Sequence, residues 1–250
     1  MPAVRPPTPA YYFQMDDAGG GVRLDSVGGH HLEDVNGNVP QVAGKLGGAP
    51  ATGPGSPEAW LRRNPAGGLL CNGVAWSADF WLYVSNYAAS GLAGIVGAYD
   101  ATTSNRGWAF YISTAGTLYF SIGQTGGTTY AASAISGSWP KNVWRYMSVK
   151  VDPDSSKWWV SYNRGYWQPR SITGPVPSVT TYFGVGKLAS LNTPFDGRVD
   201  DLAIWPGILL SDDEFNWRFN GGAGQVFSTF QPAWARAANQ TVCGGGVLCA

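Results

Sequence analysis

Carboxylate pairs are the first chemistry to look for in this chain, because retaining glycoside hydrolysis needs two carboxyl groups about 5 Å apart. The glutamates are Glu33, Glu58 and Glu214. None has a second glutamate within the same predicted strand, and Glu214 fits a helix cap instead. We therefore expect no catalytic residues, and the sequence is interpreted as that of a protein that is not an enzyme.

Two adjacent histidines, His30 and His31, could act as a base or hold a metal ion. Neighbours on an extended segment point in opposite directions, however, so we interpret both as loop residues. The sequence also lacks a Gly-x-Ser-x-Gly elbow, a phosphate-binding loop and a Cys-His cluster. These absences argue further against an enzyme.

The elements that would position any site are clearest in residues 195–222. Leu202 and Ile204 alternate with smaller or polar neighbours, which predicts a strand with one face in a core. Ser211 is followed three residues later by Glu214, the spacing of a capping box, in which each side chain bonds the other residue's backbone amide. The sequence thus predicts a strand, a turn and a capped helix in this order.

The predicted helix is expected to depend on the sheet that it follows. Phe215 and Phe219 are four residues apart and share one face. Gly221 or Gly222 supplies the left-handed residue that ends the helix. Because a helix of about ten residues is marginal alone, we expect it to pack on the preceding strands.

This order of residues resembles the C-terminal signature of laminin-G-like, concanavalin A-like domains. The matching positions are Phe195, 196–197, Val199, 200–201, 202–205, 211–214 and 220–221. The sequence departs from the pattern at Asp201, where the family usually has Glu, and at residues 206–210, which form a slightly longer turn than usual.

A second match lies near the N-terminus. Residues 11–17 resemble an aromatic strand that ends in acid, residues 25–28 read Asp-Ser-Val-Gly, and residues 43–47 read Ala-Gly-Lys-Leu-Gly. The resemblance covers roughly residues 11–227. It implies two antiparallel sheets packed face to face as a jelly roll.

The intervening sequence agrees with that fold. The segments with strand patterns between turn residues are 79–84, 108–112, 117–122, 143–151, 157–162 and 182–186. We predict an all-β protein: a two-sheet antiparallel jelly-roll sandwich of the concanavalin A-like class, with one short C-terminal helix and extended N- and C-terminal arms. The predicted divisions are a Pro-rich arm at 1–10, the jelly-roll domain at 11–227 and a C-terminal tail at 228–250.

The resemblance also implies a metal site, because many laminin-G-like domains hold one calcium ion at a sheet rim. By position the candidates are Asp25 and Asp200, with Asp16, Asp17 and Asp201 as weaker ones. Carboxylate oxygens are ligands that calcium requires. The alternative is that Asp25 makes an Asx turn and Asp200 accepts loop amides, which needs no metal. One structural calcium ion is the only cofactor expected.

Three aromatic residues are candidates for stacking on sugar rings. Trp139, Tyr166 and Trp167 lie in segments flanked by Gly and Pro, as expected of loops at the rim of a sandwich. The alternative for each ring is packing in the core or in an interface.

Charge and targeting signals restrict the partners. The chain has 16 basic and 16 acidic residues, and this balance argues against nucleic-acid binding and against an anionic membrane surface. Only 13% of its residues are charged, about half the usual share, so we expect part of the surface to contact other chains. The alternative is a twisted sandwich whose aromatic side chains all lie in the core. No stretch resembles a signal peptide or a membrane span.

The cysteines are consistent with synthesis in a reducing cytoplasm. Cys71, Cys243 and Cys249 make an odd count without metal-type spacing, and we interpret them as free thiols. The alternative for Cys243 and Cys249 is a disulfide that closes a small Gly-rich loop.

Two classes of function remain open. The first is a structural or binding protein of a virus particle, such as a capsid decoration, head-fibre or tail protein of a tailed phage, made in the host cytoplasm. In this hypothesis the arms at 1–10 and 228–250 lock the jelly roll to neighbouring virion chains, in a homo-oligomer that we expect to be a trimer. The second is a carbohydrate-binding module or receptor-binding adhesin for a cell-surface glycan.

Overall fold

A computed structural model shows which of these elements form. The residues that it describes are 4–17, 21–36, 39–54, 58–66, 69, 71, 73–100, 107–123, 129–133, 138–165, 167–172, 182–191 and 193–227. The strands in this part of the chain are β1 Tyr11–Phe13, β2 Val22–Arg23, β3 Leu32–Asp34, β4 Gln41–Ala43, β5 Gly48–Thr52, β6 Leu61–Arg63, β7 Trp76–Val84, β8 Leu92–Ala98, β9 Trp108–Ser113, β10 Leu118–Gly123, β11 Thr129–Ser133, β12 Trp144–Asp152, β13 Lys157–Tyr162, β14 Gln168–Ser171, β15 Phe183–Val185, β16 Thr193–Pro194 and β17 Gly197–Pro206.

The strands form two sheets. Sheet A has the order β14-β13-β12-β7-β17-β5-β4, and β1 pairs with β17 from Leu202 to Ile204. Sheet B has the order β11-β10-β9-β8-β15-β6-β3-β2, and β16 pairs with β8. Among the named strands, every described pairing except that of β16 with β8 is antiparallel. The predicted all-β jelly-roll sandwich with one short helix is confirmed.

One hydrophobic core fills the space between the sheets. Phe80 and Leu82 of β7 point into it, whereas Trp81 points to the outer face of sheet A, as the strand period of two predicts. Trp76 of β7 lies 4.9 Å from Trp108 of β9, measured between ring centroids. Large aromatic side chains from both sheets therefore hold the two layers together.

A bulge in β17 explains how two adjacent acids fit into a buried strand. The pairing with β7 shifts between Asp200 and Ala203, and Asp201 has a φ of 54°. The extra residue lets both Val199 and Leu202 reach the core. Because of this bulge the two carboxylates lie away from the apolar core.

A second apolar cluster covers the outer face of sheet A, and we call it the outer aromatic layer. Its buried members are Tyr12, Trp81, Tyr146, Ala203, Trp205, Leu210, Phe215 and Phe227. Helix α1, Asp212–Phe219, lies over this layer, with Phe219 stacked on Trp81 at 6.0 Å. The prediction that the helix packs on the sheet is confirmed.

Helix α1 begins at the predicted capping box. The Glu214 amide donates to the Ser211 hydroxyl (3.3 Å), and the Ser211 amide donates to the Glu214 carboxylate (2.7 Å). The left-handed turn that ends the helix starts at Asn220, with a φ of 45°, and continues through Gly221, with a φ of 63°. The left-handed residues that end the helix therefore begin at Asn220, one residue before the predicted glycines, because Asn also tolerates the left-handed region.

The described part of the N-terminal arm lies on its own domain. The Ala10 amide donates to the Ile204 carbonyl (3.0 Å), and the Trp205 indole donates to the Pro7 carbonyl (2.8 Å). The outer aromatic layer thus gives residues 4–10 an apolar surface within the same chain, and the contact of this arm with neighbouring chains stays a prediction.

One of the three cysteines lies in the described part of the chain. Cys71 is a buried free thiol, and burial raises its pKa. Cys243, Cys249 and the rest of the tail lie outside the described residues. Within the described residues no helix has the length and apolar character needed to cross a bilayer.

Candidate functional site

A cleft of about 340 Å³ opens on the outer side of sheet A, between helix α1 and the hairpin of β13 and β14. The residues that line it are Ser148, Arg164, Gly165, Trp167, Asp212, Phe215 and Asn216. Ser148 and Phe215 are buried, whereas Arg164 and Asp212 are exposed. The cleft therefore has a closed base and a charged rim.

The turn that carries Arg164 is fixed against β12. The Tyr146 amide donates to the Asn163 side chain (2.9 Å), and the Asn163 amide donates to the Tyr146 carbonyl (2.8 Å). The Ser161 hydroxyl donates to the Gly165 carbonyl (2.8 Å). Asn163 and Arg164 have φ values of 44° and 61°, which closes a tight hairpin. The backbone at Arg164 is thus held on both sides.

Trp167 forms one wall of the cleft. Its ring lies 5.2 Å from the Phe215 ring, with 47° between the planes, and remains partly exposed. The Lys150 ammonium lies 4.4 Å from the Trp167 ring centroid and 2.8 Å from the Asp212 carboxylate. Because a cation is attracted to an aromatic face, Lys150 fixes the ring, and Asp212 balances the lysine charge.

Helix α1 forms the opposite wall. Asp212, Phe215 and Asn216 are spaced at i, i+3 and i+4, so they share one side of the helix. This wall presents a carboxylate, an apolar ring and an amide that can donate and accept. Small-molecule sites combine apolar walls with placed polar groups, and this cleft combines two aromatic rings with the polar side chains of Ser148, Arg164, Asp212 and Asn216.

A buried ion network fixes helix α1 to sheet A. Arg218 donates to the Asp79 carboxylate (2.9 Å) and to the Asp201 carbonyl (3.0 Å), and it pairs with the Asp201 carboxylate (2.9 Å). The Tyr146 hydroxyl donates to Asp79 (2.6 Å), and the Tyr12 hydroxyl donates to Asp201. All five side chains are at most 2% exposed. Removing one charge would leave others buried without a partner.

Burial raises the pKa values of the acids in and beside this network. It raises the pKa of Asp201 to about 7, although the Arg218 charge opposes the rise. It also raises the pKa of Asp200 to about 7, although this carboxylate accepts from the amides of Leu46 (2.9 Å) and Lys45 (2.7 Å). Neither acid lines the cleft, so we expect both to act on stability.

The structure separates the three predicted sugar-stacking residues. Trp167 lines the cleft, but Trp139 is 0% exposed and packs edge-on against Tyr162 at 5.5 Å. The Trp139 amide donates to the Gly116 carbonyl (2.8 Å), which draws its segment into the sandwich. Since a fully buried ring has no face for a sugar, the expectation for Trp139 is corrected. Tyr166 lies outside the described residues.

The two predicted calcium ligands bind backbone amides. Asp25 accepts four amides at 2.9–3.1 Å, three from its own turn and one from Tyr12. Asp200 accepts two through Oδ2, and its buried Oδ1 has no partner in the described part of the chain. In that same part, no cluster of three or more His, Cys, Asp or Glu side chains is placed to hold a metal. Calcium takes about six to eight oxygens, so this donor set does not support the ion, which stays a prediction.

Two of the weaker metal candidates and one of the histidines also have hydrogen-bond partners. Asp16 and Asp17 accept the amides of Gly48 (2.6 Å) and Leu24 (2.8 Å). His31 accepts the amide of the turn residue Asp25 through Nδ1 (3.0 Å). These contacts fit the interpretation of this region as hydrogen-bonded loops.

Two of the three glutamates have structural partners of their own. Glu58 forms an ion pair with Lys187, and Glu214 caps helix α1. Among the described residues that line the cleft, one is a carboxylate, that of Asp212, whereas retaining glycoside hydrolysis needs two.

Sequence reasoning found Trp167 but missed its partners in the cleft. The helical spacing of Asp212, Phe215 and Asn216 was a usable signal, because it places all three on one side. Arg164 gave no signal, since only the folded hairpin brings it beside the helix. The charge of Asp79 within an otherwise apolar strand was the available sign of the buried network.

The model of the concanavalin A-like lectin/glucanases superfamily matches residues 58–216, more than half of the chain. A search of curated proteins finds no match for this chain.

Solved structures share the fold at low identity. The binding domain of Paraclostridial Mosquitocidal Protein 1 matches with a TM-score of 0.64 and 14% identity, over 85% of this chain and 52% of that one. A botulinum neurotoxin type C structure, from work on its interaction with two ganglioside molecules, matches with a TM-score of 0.62 and 13% identity, over 87% and 52%. Domain 4 of the GH43 extracellular arabinanase AbnA from Geobacillus stearothermophilus, in complex with arabinotriose, matches with a TM-score of 0.54 and 15% identity, over 87% and 98%.

The chain spans about half the length of the two toxin chains and nearly all of the arabinanase domain. At these identities the likeness concerns the fold alone. Together with the two-sheet sandwich, the family match over residues 58–216 shows that this chain belongs to the concanavalin A-like lectin/glucanase superfamily.

Proposed function

We propose that this protein is a non-enzymatic carbohydrate-binding domain whose ligand enters the cleft beside Trp167. The observation that carries the proposal is the partly exposed Trp167 ring at the wall of a cleft of about 340 Å³. A sugar has an apolar face and a rim of hydroxyl groups. The Trp167 ring suits the face, and Ser148, Asn216 and Asp212 suit the hydroxyls.

The rigidity of the walls supports this proposal. The Asn163 hydrogen bonds fix the hairpin, and Arg218 fixes helix α1. Binding then orders few additional groups, which lowers the entropic cost of association. The arabinanase domain, which is in complex with arabinotriose, supplies a further argument for a carbohydrate ligand.

The test is a glycan array probed with the full chain and three variants. Trp167→Ala and Trp167→Leu should lower the affinity for any bound glycan at least tenfold, and Leu keeps the packing on Phe215 if Ala disturbs it. Trp217→Ala is the matched control, because this partly buried Trp lies in the same outer layer but does not line the cleft. No bound glycan, or binding that is indifferent to both Trp167 variants, would contradict the proposal.

A second candidate is a structural protein of a virus particle, and one surface favours an assembly role. In the described part of the chain β2 is the last strand of sheet B, so Val22 and Arg23 have no partner strand on their outer side. Directly after β2, the Leu24 amide donates to Asp17 (2.8 Å), and Asp25 pairs with Phe13. Around it Val22, Leu24 and Val27 are 45%, 49% and 42% exposed. An unpaired edge with apolar side chains is a template for pairing with another chain. The proposed occupant is a second copy of this chain within the particle, as part of the expected trimer.

The assembly role is tested by the molar mass of the full chain in solution, measured by light scattering over a range of concentrations. The second candidate predicts an oligomer, and the double variant Val22→Ser, Leu24→Ser should shift it to monomer. Ile208→Ser with Leu209→Ser is the control, since these residues are also exposed but lie beyond β17. A wild-type monomer at every concentration would remove the main support for this candidate.

A further inference from the structure

Arg164 stands out among the charged residues around the cleft. It lines the cleft and is exposed. Within the described part of the chain, its guanidinium has no hydrogen-bond partner and no ion pair. It is therefore a cation that is available to a ligand.

The other charges at the cleft are already matched. Asp212 is the carboxylate that lines it, and the Lys150 ammonium lies 2.8 Å from that carboxylate. Lys150 in addition lies 4.4 Å from the Trp167 ring and 5.8 Å from the Trp159 ring. Once the Lys150 and Asp212 charges are set against each other, the remaining charge among the described lining residues is the positive one of Arg164. The Asp213 carboxylate does not line the cleft and accepts from the Asn216 amide (3.4 Å).

The backbone at Arg164 also argues for a role of its side chain. Its φ is 61°, in the left-handed region that glycine adopts without penalty at the second position of such a turn. A non-glycine residue in this region costs about 1–2 kcal/mol. The arginine thus stands at a position where the turn favours glycine, and strained residues of this kind concentrate at ligand sites.

Resting on the proposed carbohydrate binding, we propose that the cleft selects acidic sugars and that Arg164 pairs with the sugar carboxylate. The guanidinium presents two parallel N–H groups that match a carboxylate, and this fork gives geometric selectivity that a lysine would not give. Trp167 contacts the apolar face of the same sugar ring. The volume lies at the small end of ligand sites, about 300–1,000 Å³, which suits one or two sugar units.

The carboxylate can belong to a sialic acid or to a uronic acid, and the two sources share the same chemistry toward Arg164. Isothermal titration of the full chain uses two matched pairs of probes. The first pair is 3′-sialyllactose with lactose, and the second is tetragalacturonate with its carboxyl-reduced form. The wild-type chain should bind at least one acidic probe tenfold or more tightly than its neutral partner, and the acidic probe of the preferred pair identifies the source.

The variant Arg164→Gln should remove this preference, so that the acidic and neutral members bind alike. Lys157→Gln is the control for general charge, because Lys157 is exposed on β13 of the same hairpin but does not line the cleft. It should leave the preference unchanged. The preference should also weaken as salt is raised, since the ion pair lies at an exposed rim.

The remaining outcomes distinguish failure of the acidic selectivity from failure of the proposed function. Equal binding of acidic and neutral probes that depends on Trp167 would overturn the selectivity and leave the proposed function standing. An acidic preference that survives in Arg164→Gln would equally overturn the role of Arg164. If neither the four probes nor the glycan array gives binding, both the selectivity and the proposed function fail.

Discussion

Two arginines, one within helix α1 and one facing it from a hairpin, have opposite environments. Arg218 extends from the helix to sheet A and is 0% exposed, with its charge shared between Asp79 and Asp201. Arg164 approaches the helix from the β13–β14 hairpin, is exposed, and has no ion pair among the described residues. The first arginine is part of the structure of the domain, and the second is available to a partner.

The difference shows how to separate stability from binding in this domain. A buried charge whose partners are all supplied by the chain itself cannot be removed alone without a loss of stability, because its partners stay buried and unpaired. A charge at an open rim contributes little to stability, because water already solvates it. Variants of Arg218 should therefore change the free energy of unfolding, and variants of Arg164 should change the affinity for a ligand.

The largest effect on stability is expected from Arg218→Met. It leaves Asp79 and Asp201 buried without their cation, and breaking a buried pair in this way costs about 3–5 kcal/mol. Urea unfolding followed by circular dichroism at pH 7.4 measures the loss. Adding Asp79→Asn and Asp201→Asn should restore part of it, because the stranded charges are then removed.

Arg164→Met is the matched control and should stay within about 0.5 kcal/mol of the wild type. Equal stability of Arg218→Met and the wild type would show that the network does not hold helix α1.

A smaller effect is expected from pH, through the raised pKa values of Asp200 and Asp201. Both are about 7 in the folded chain and about 3.9 in an unfolded one. Between about pH 4 and pH 7 the folded state holds protons that the unfolded state has released, so the free energy of unfolding falls as the pH rises. The protein should therefore be more stable at pH 5.5 than at pH 8.

Asp200→Asn isolates one of these groups, since its carbonyl can still accept the amides of Lys45 and Leu46. The free energy of unfolding of this variant should depend less on pH than that of the wild type, and at pH 8 it should be higher by roughly 1–3 kcal/mol. Urea titrations at both pH values test it, and Asp212→Asn serves as an exposed control. An unchanged pH slope in Asp200→Asn would contradict the assigned pKa.

The smallest of the three effects is expected from Ser211→Ala, which removes the N-terminal cap of helix α1. Loss of such a cap costs about 1 kcal/mol. Because Arg218 still anchors the helix, the urea midpoint should fall slightly while glycan affinity changes less than about twofold. A loss as large as that of Arg218→Met would show that the helix is held from its end and not from its buried side.

The local features of the fold could be predicted from the sequence, because their causes lie within a few residues. The capping box of Ser211 and Glu214 and the alternation of Phe80 and Leu82 are examples. The bulge at Asp201 could not be predicted, since its cause is pairing with a strand more than a hundred residues away. The same holds for the contact of Arg218 with Asp79, which spans 139 positions.

The candidate site shows the same limit. Trp139 and Trp167 have similar neighbours in sequence, yet one is buried and the other lines the cleft. What distinguishes them is tertiary contact: Trp139 bonds Gly116 of another hairpin, and Trp167 meets the helix at Phe215. Flanking Gly and Pro residues predict a loop but not the direction of the ring.

The central claim, that carbohydrate binds beside Trp167, is tested most directly by nuclear magnetic resonance of the full chain with ¹⁵N-labelled tryptophan. The chain has 12 tryptophans, and Trp167→Phe identifies the indole signal of Trp167. On titration with arabinotriose, lactose, 3′-sialyllactose and tetragalacturonate, at least one sugar should shift the Trp167 signal in a saturable way, while the signals of the buried Trp76 and Trp139 stay in place. Saturable shifts at other tryptophans with Trp167 unchanged, or no shift with any of the sugars, would contradict the claim.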